Sequence, residues 1–159
     1  MKRAVHVAVH VAAVIACACS LGGCGGLAGS GTWQVVGVYT DAFLPGELPA
    51  DAAGKANFQT RGKTVRGTTP CAAVEGTIEK DSENDPDDDR VTLTAITIEE
   101  PQDPGACVGG SRHVHDQLTQ LLTPGAQFRV LRPSDGERLL VSTADEQRAD
   151  PPSIRVMLL

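Results

Sequence analysis

From position 32 onward, apolar and polar residues mostly alternate with a period of two, the pattern of strands that bury one face. Residues 32–40 (TWQVVGVYT) open the series and set Trp33, Val35, Gly37 and Tyr39 on one face. Residues 55–60 and 63–67 read as short strands on either side of Arg61-Gly62, a hairpin turn. Residues 71–80 (CAAVEGTIEK) alternate Ala72, Val74, Gly76 and Ile78 against mostly polar neighbours, as a half-buried strand does. Residues 90–98 (RVTLTAITI) carry the strongest strand signal, but the phase slips. Val91 and Leu93 alternate in one phase, Ile96 and Ile98 in the other, so a β-bulge or burial on both faces is expected near Ala95.

The period changes once. Val114, Leu118, Leu121 and Leu122 fall at i, i+4, i+7 and i+8, an amphipathic stripe that predicts a helix over residues 111–123. Ser111 is placed to cap it and Pro124-Gly125 to stop it. Residues 126–132, 138–143 and 154–158 return to strand patterning, with Pro133-Ser134-Asp135-Gly136 as the turn between the first two. Residues 41–54, with Pro45-Gly46 and Pro49, read as a long irregular loop. The expected fold is α+β: six or seven short, mainly antiparallel strands, sheet or barrel-like, with one packed helix.

The first 31 residues follow a different logic. Met1-Lys2-Arg3 is a basic start, and residues 4–21 form an apolar run without a single Asp, Glu, Lys or Arg. Leu21-Gly22-Gly23-Cys24 then resembles the lipobox of a bacterial lipoprotein. That resemblance implies cleavage before Cys24, a diacylglyceryl group on its sulfur, and a chain held by acyl groups (palmitate-type) at the outer face of the cell membrane or facing the periplasm. A transmembrane reading of residues 4–27 is weakened by Gly22, Gly23, Gly25 and Gly26. The organisation expected is a signal peptide over 1–23, a Gly/Ser/Ala-rich tether over 24–31 and a single domain over 32–159.

Cleavage changes the charge and the cysteine count. Removing residues 1–23 leaves 136 of 159 residues, and the loss of Lys2 and Arg3 moves the net charge from −6 to −8. An acidic domain with no basic stripe argues against nucleic acid as a partner. Of five cysteines, Cys24, Cys71 and Cys107 remain. With Cys24 lipidated, Cys71 and Cys107 are an even pair in an oxidising compartment, which predicts one disulfide.

Catalytic chemistry is sparse. G-x-S-x-G, a P-loop and H-E-x-x-H are absent, and no C-x-x-C follows the cleavage point. His113 and His115 sit two apart on the predicted helix, about 200° around its axis, and are expected at the surface rather than on a shared metal. Residues 81–89 (DSENDPDDD) place six acids in nine positions. Counted from Asp81, however, Pro86 stands at the glycine position of a calcium loop and Thr92 at the glutamate position. A solvated acidic turn is the expectation, with no metal and no cofactor.

The order of features also resembles the META-domain family, which includes heat-inducible envelope lipoproteins. The resemblance rests on Gly31-Thr32-Trp33, on Val65 and Gly67 leading to Cys71 with Gly76 after it, and on Cys107 ahead of the helix. It covers roughly residues 31–143, with Pro70-Cys71-Ala72 standing where that family has Gly-Cys-Asn. It implies a β-rich fold with one packed helix, no established enzymatic activity and a loose association with envelope stress. The function expected is a non-enzymatic envelope lipoprotein that binds an envelope protein partner or supports the envelope. The rival is a small-ligand carrier, or an enzyme, with its site inside a barrel.

The acidic stretch generates the first prediction. Millimolar Ca²⁺ should leave the melting temperature nearly unchanged in a calorimetric titration; a saturable rise of several degrees would assign those carboxylates to a cation.

Overall fold

The computed structural model describes residues 31–43, 45–80, 89–100, 103–144 and 147–159. The alternating stretches become eight strands: β1 (Thr32–Tyr39), β2 (Asn57–Arg61), β3 (Thr64–Thr68), β4 (Ala73–Lys80), β5 (Arg90–Glu99), β6 (Gln127–Ser134), β7 (Glu137–Ser142) and β8 (Ser153–Leu158). Between β5 and β6 lies α1 (Gly109–Leu121), preceded by a 3-10 turn at Pro104–Ala106. Each strand pairs antiparallel with its sequence neighbours, and β8 returns to β1, so the sheet closes into a barrel. Mainly antiparallel strands with one helix are what the pattern predicts. The number is eight rather than six or seven: every alternating stretch pairs, the five-residue β2 and β3 included, and these link β1 to β4. The expected signal segment, Cys24, the tether up to residue 30 and residues 81–88 lie outside the described residues.

Register shifts in β1, β5 and β6 bend the strands toward closure, the last of them between Leu131 and Ser134. In β1 the register shifts between Val35 and Gly37. Val38 therefore follows Trp33 and Val35 into the core, and the single-phase assignment of Gly37 and Tyr39 to that face fails. In β5 the slip near Ala95 is a bulge: Thr77 pairs with Ala95 but Ile78 with Leu93, leaving Thr94 as the extra residue. The hairpin turns are tight. Pairing of Arg61 with Thr64 makes the first turn Gly62-Lys63, one residue later than expected, with Gly62 at φ +58°. Pairing of Ser134 with Glu137 leaves Asp135-Gly136 as the second turn.

The helix stripe behaves as its spacing demands. Val114 and Leu118 join Trp33, Val35, Val38, Phe128, Val130, Leu140, Ile154 and Val156 in one core cluster, with Leu121 and Leu122 packed against it. The helix begins at Gly109, with Val108 as an N-cap that offers no side-chain bond, so Ser111 is not the cap. One of the unpaired N-terminal donors is met from outside by Asp51. The Ser111 N–H donates to Asp51 Oδ2 at 3.1 Å, and Ser111 Oγ donates to the Asp51 carbonyl at 2.7 Å. A carboxylate at a helix N-terminus also opposes the positive end of the dipole. Gly110 permits this approach, since a Cβ there would stand 2.3 Å from Asp51 Oδ1.

The outer face carries charge, as in the surface ion pairs Arg66–Glu75 (3.2 Å) and Lys63–Glu79 (3.3 Å). Apolar residues fill the inside. That is the inverse of a membrane-spanning barrel, which is apolar outside and polar within. Among the described residues, no helix is long and apolar enough to cross a membrane. All eight strands find both neighbours between Thr32 and Leu158, so the domain from Gly31 onward contains its own core and closure.

Cys71, just before β4, is bonded to Cys107, just before α1, with Cα atoms 5.5 Å apart. Linking positions 36 apart restricts the unfolded chain by about 3–4 kcal/mol in the loop-entropy view. Reduction of the Gly31–Leu159 domain should lower its unfolding free energy in urea by about 2–5 kcal/mol, and thiol labelling before reduction should find no free cysteine.

Candidate functional site

An eight-stranded barrel is just wide enough for side chains to fill it or for one small ligand. Here the filling is uneven. The core cluster occupies the side of β1, β6, β7 and β8, where α1 plugs the barrel. Val74, Ile78 and Leu93 on the opposite wall are buried but pack outside that cluster. Between the two lies a cavity of about 60 Å³ whose walls include Trp33, Phe58, Val65, Ile96, Leu122 and Phe128. Among the described lining residues, Thr60 and Trp33 carry polar side-chain atoms, but the surface turned to the cavity is apolar, and the buried Trp33 Nε1–H has no hydrogen-bond partner. Phe58, Val65, Ile96 and Leu122 are half-buried, so the cavity is not sealed on every side. Its volume is far below the roughly 300–1,000 Å³ of a site that engulfs a drug-sized molecule. Larger depressions of about 480 Å³ lie outside the barrel, one of them over Tyr39, Leu139 and Val141, and these open to solvent.

At the end formed by the two tight hairpins, Arg138 lies inside the wall and only 8 % exposed. Its guanidinium stacks 4.9 Å from the centroid of Trp33, and Nη1 donates to the carbonyls of Ser134 (2.8 Å) and Glu137 (2.7 Å). Burial, and then the nearby Arg132 charge, hold its pKa below the ordinary arginine value. Arg132 itself pairs with Asp89, the last residue of the acidic stretch. Cation–π stacking on a desolvated ring is worth up to about 2 kcal/mol, and here it holds Trp33, whose ring lines the cavity.

Among the described residues, the helix end holds the one constellation with catalytic connectivity. Thr69 Oγ1 lies 2.8 Å from His115 Nδ1, and His115 Nε2 lies 2.9 Å from Glu100 Oε1. A carboxylate only accepts, so Nε2–H donates to Glu100, and in the neutral ring Nδ1 then accepts from the Thr69 hydroxyl. Hydroxyl, imidazole and carboxylate in that order are the parts of an activated nucleophile. The hydroxyl is committed elsewhere, however. Thr69 is 2 % exposed, and its oxygen accepts the N–H of Ala72 at 2.9 Å and of Cys71 at 3.3 Å. Thr69 does not line the cavity. The set is a rivet joining α1 to the segment before β4, beside the disulfide.

His115 thus overturns the surface expectation, being fully buried, whereas His113 is exposed as expected. Cys71 and Cys107 are brought together. Among the described residues, no three His, Cys, Asp or Glu side chains stand together as a metal site. Sequence reasoning missed Asp51, Arg138 and the cavity lining. A signal for His115 existed: Ser111, His115, Leu118 and Leu122 repeat at i, i+4, i+7 and i+11, along one flank of the stripe.

The fold and its interior define a closed, helix-plugged, eight-stranded antiparallel barrel with an apolar cavity. No protein-family model, curated protein or solved structure matches the chain.

The rivet can be tested apart from any activity. Thr69→Val keeps the shape but leaves the Ala72 and Cys71 N–H groups and His115 Nδ1 without their partner. It should destabilise by about 1–3 kcal/mol for each such buried group, whereas Thr69→Ser should stay near wild type in urea denaturation.

Proposed function

We propose that the chain is a lipid-tethered bacterial envelope protein whose barrel binds rather than catalyses. The observation that carries the binding half is the division of the interior. Polar groups at the helix end are committed to fixing the plug, and the cavity beyond them presents an apolar surface. A reaction centre needs convergent polar groups aimed at a reacting atom. A recognition site for an apolar group does not. That contrast favours the carrier half of the rival reading over its enzymatic half. Binding an envelope protein partner on the charged outer face is compatible with either.

The tether half rests on Leu21-Gly22-Gly23-Cys24 and the basic, then apolar, start. Two acyl chains hold a protein firmly where one holds marginally, at about 0.8 kcal/mol per buried methylene. Residues 24–31 span at most about 29 Å when extended. They lead to Thr32, whose carbonyl accepts the Leu159 N–H, so the tether would join the barrel at the end where the chain's first and last strands meet. The META-domain resemblance fits the same reading, with no enzymatic activity attached.

Cys24→Ala should move the protein from the membrane fraction to the soluble one or leave the precursor uncut. A variant still cleaved and still sedimenting with membranes would overturn the tether.

A further inference from the structure

Side-chain size explains why the barrel is unevenly filled. The inner positions of β3 and β4 are Val65, Gly67, Val74, Gly76 and Ile78. A Cβ at Gly67 would meet the Asn57 carbonyl at 2.0 Å, and one at Gly76 the Ala95 carbonyl at 2.6 Å. The wall must coil too closely there for side chains, so nothing from these two positions reaches inward. The large residues, Trp33, Phe128, Leu118 and Ile154, all belong to the opposite cluster. The consequence is a slot between a packed half-core and a thin aliphatic wall.

We propose that this slot takes the end of one hydrocarbon chain, terminal methyl first, with the polar head left outside. The inference deepens the binding reading above and names its ligand class. Three observations fix the class. The surface that the lining turns to the slot is apolar throughout, so it offers nothing to satisfy a head group or a sugar. Its volume of about 60 Å³ is too small for a ring system with substituents and suits a thin chain end. A cavity without polar partners stays dry, so an alkyl group entering it displaces no bound water. The half-buried residues Phe58, Val65, Ile96 and Leu122 are where the lining approaches solvent. Leu122 is also the C-cap of α1, so the chain would enter beside the end of the plug.

The protein provides its own reporter, since Trp33 is the single tryptophan and lines the slot. The Gly31–Leu159 domain, which contains the whole barrel, is titrated with 12-bromododecanoate and separately with 2-bromododecanoate. Bromine quenches tryptophan on contact. The expected result is a saturable loss of most Trp33 emission with the terminal bromine and little loss with bromine beside the head. Ile96→Phe and Val65→Phe, each checked for a cooperative melt, should fill the slot and abolish the quenching. No saturable quenching by the terminal bromine overturns the proposal. Equal quenching by both isomers, or quenching unchanged in folded slot-filling variants, also overturns it, because either means association at the surface.

The chain could come from a separate lipid or from the group on Cys24. If it is separate, the lipidated full-length protein is quenched like the domain. If it is the protein's own, the domain is quenched and the lipidated protein is not. Loss of the slot would leave membrane fractionation by Cys24 untouched, and loss of the tether would leave the fluorescence of the domain untouched.

Discussion

The structure depends on the seam between β1 and β8. Six residue pairs, from Trp33 with Leu158 to Tyr39 with Ser153, join the first strand of the domain to the last. Without that seam, both edges of an eight-stranded sheet would be bare, and each would invite pairing with another chain. With it, every strand has two neighbours and the apolar faces turn inward. The seam is also the contact of highest sequence separation, so loop closure opposes it until the intervening hairpins have formed. The bulge at Val36 lies in this seam. It turns Val38 inward where the strand meets the helix, so closure and plugging are set by the same irregularity.

Closing a barrel creates an end to be covered, and the chain covers it with α1. A 13-residue helix is marginal in isolation, and this one has neither acidic residues in its first turn nor basic ones in its last. Its stability is therefore borrowed from tertiary contacts. Asp51 meets one of the N-terminal donors, the disulfide fixes the approach, His115 locks to Thr69, and Val114 with Leu118 enter the core. These fastenings come from separate segments of the chain and cross-link the helix end to the rest of the barrel.

Much of this was legible in the sequence. Period-two stretches located the staves, the change to period 3.6 located the helix, and the slipped phase at Ala95 foretold a bulge. Elimination of Cys24 paired Cys71 with Cys107. What failed was non-local. The bulge in β1 is invisible in TWQVVGVYT because Val36 and Val38 are equally apolar, and only pairing with β8 decides which one turns inward. Asp51 caps a helix 60 positions away, so no local motif could announce it. His115 looked like a surface residue because its partners, Thr69 and Glu100, are distant in sequence and polar.

The cavity was illegible for a more general reason: volume is a property of the whole wall. Five aromatic residues in the chain and a lining rich in Val and Ile mean that the barrel is closed by more backbone than its side chains can fill. A cavity of this kind lowers stability, since side chains facing it lack dispersion partners. The clamps at either end, Arg138 on Trp33 and the riveted helix, keep the wall from collapsing onto it. A barrel selected for stability alone would fill the gap with one larger residue at Val65 or Val74. Keeping small residues on one wall while cross-linking the plug maintains an apolar space in a molecule otherwise closed at both ends, and that is the arrangement a hydrocarbon-binding role requires.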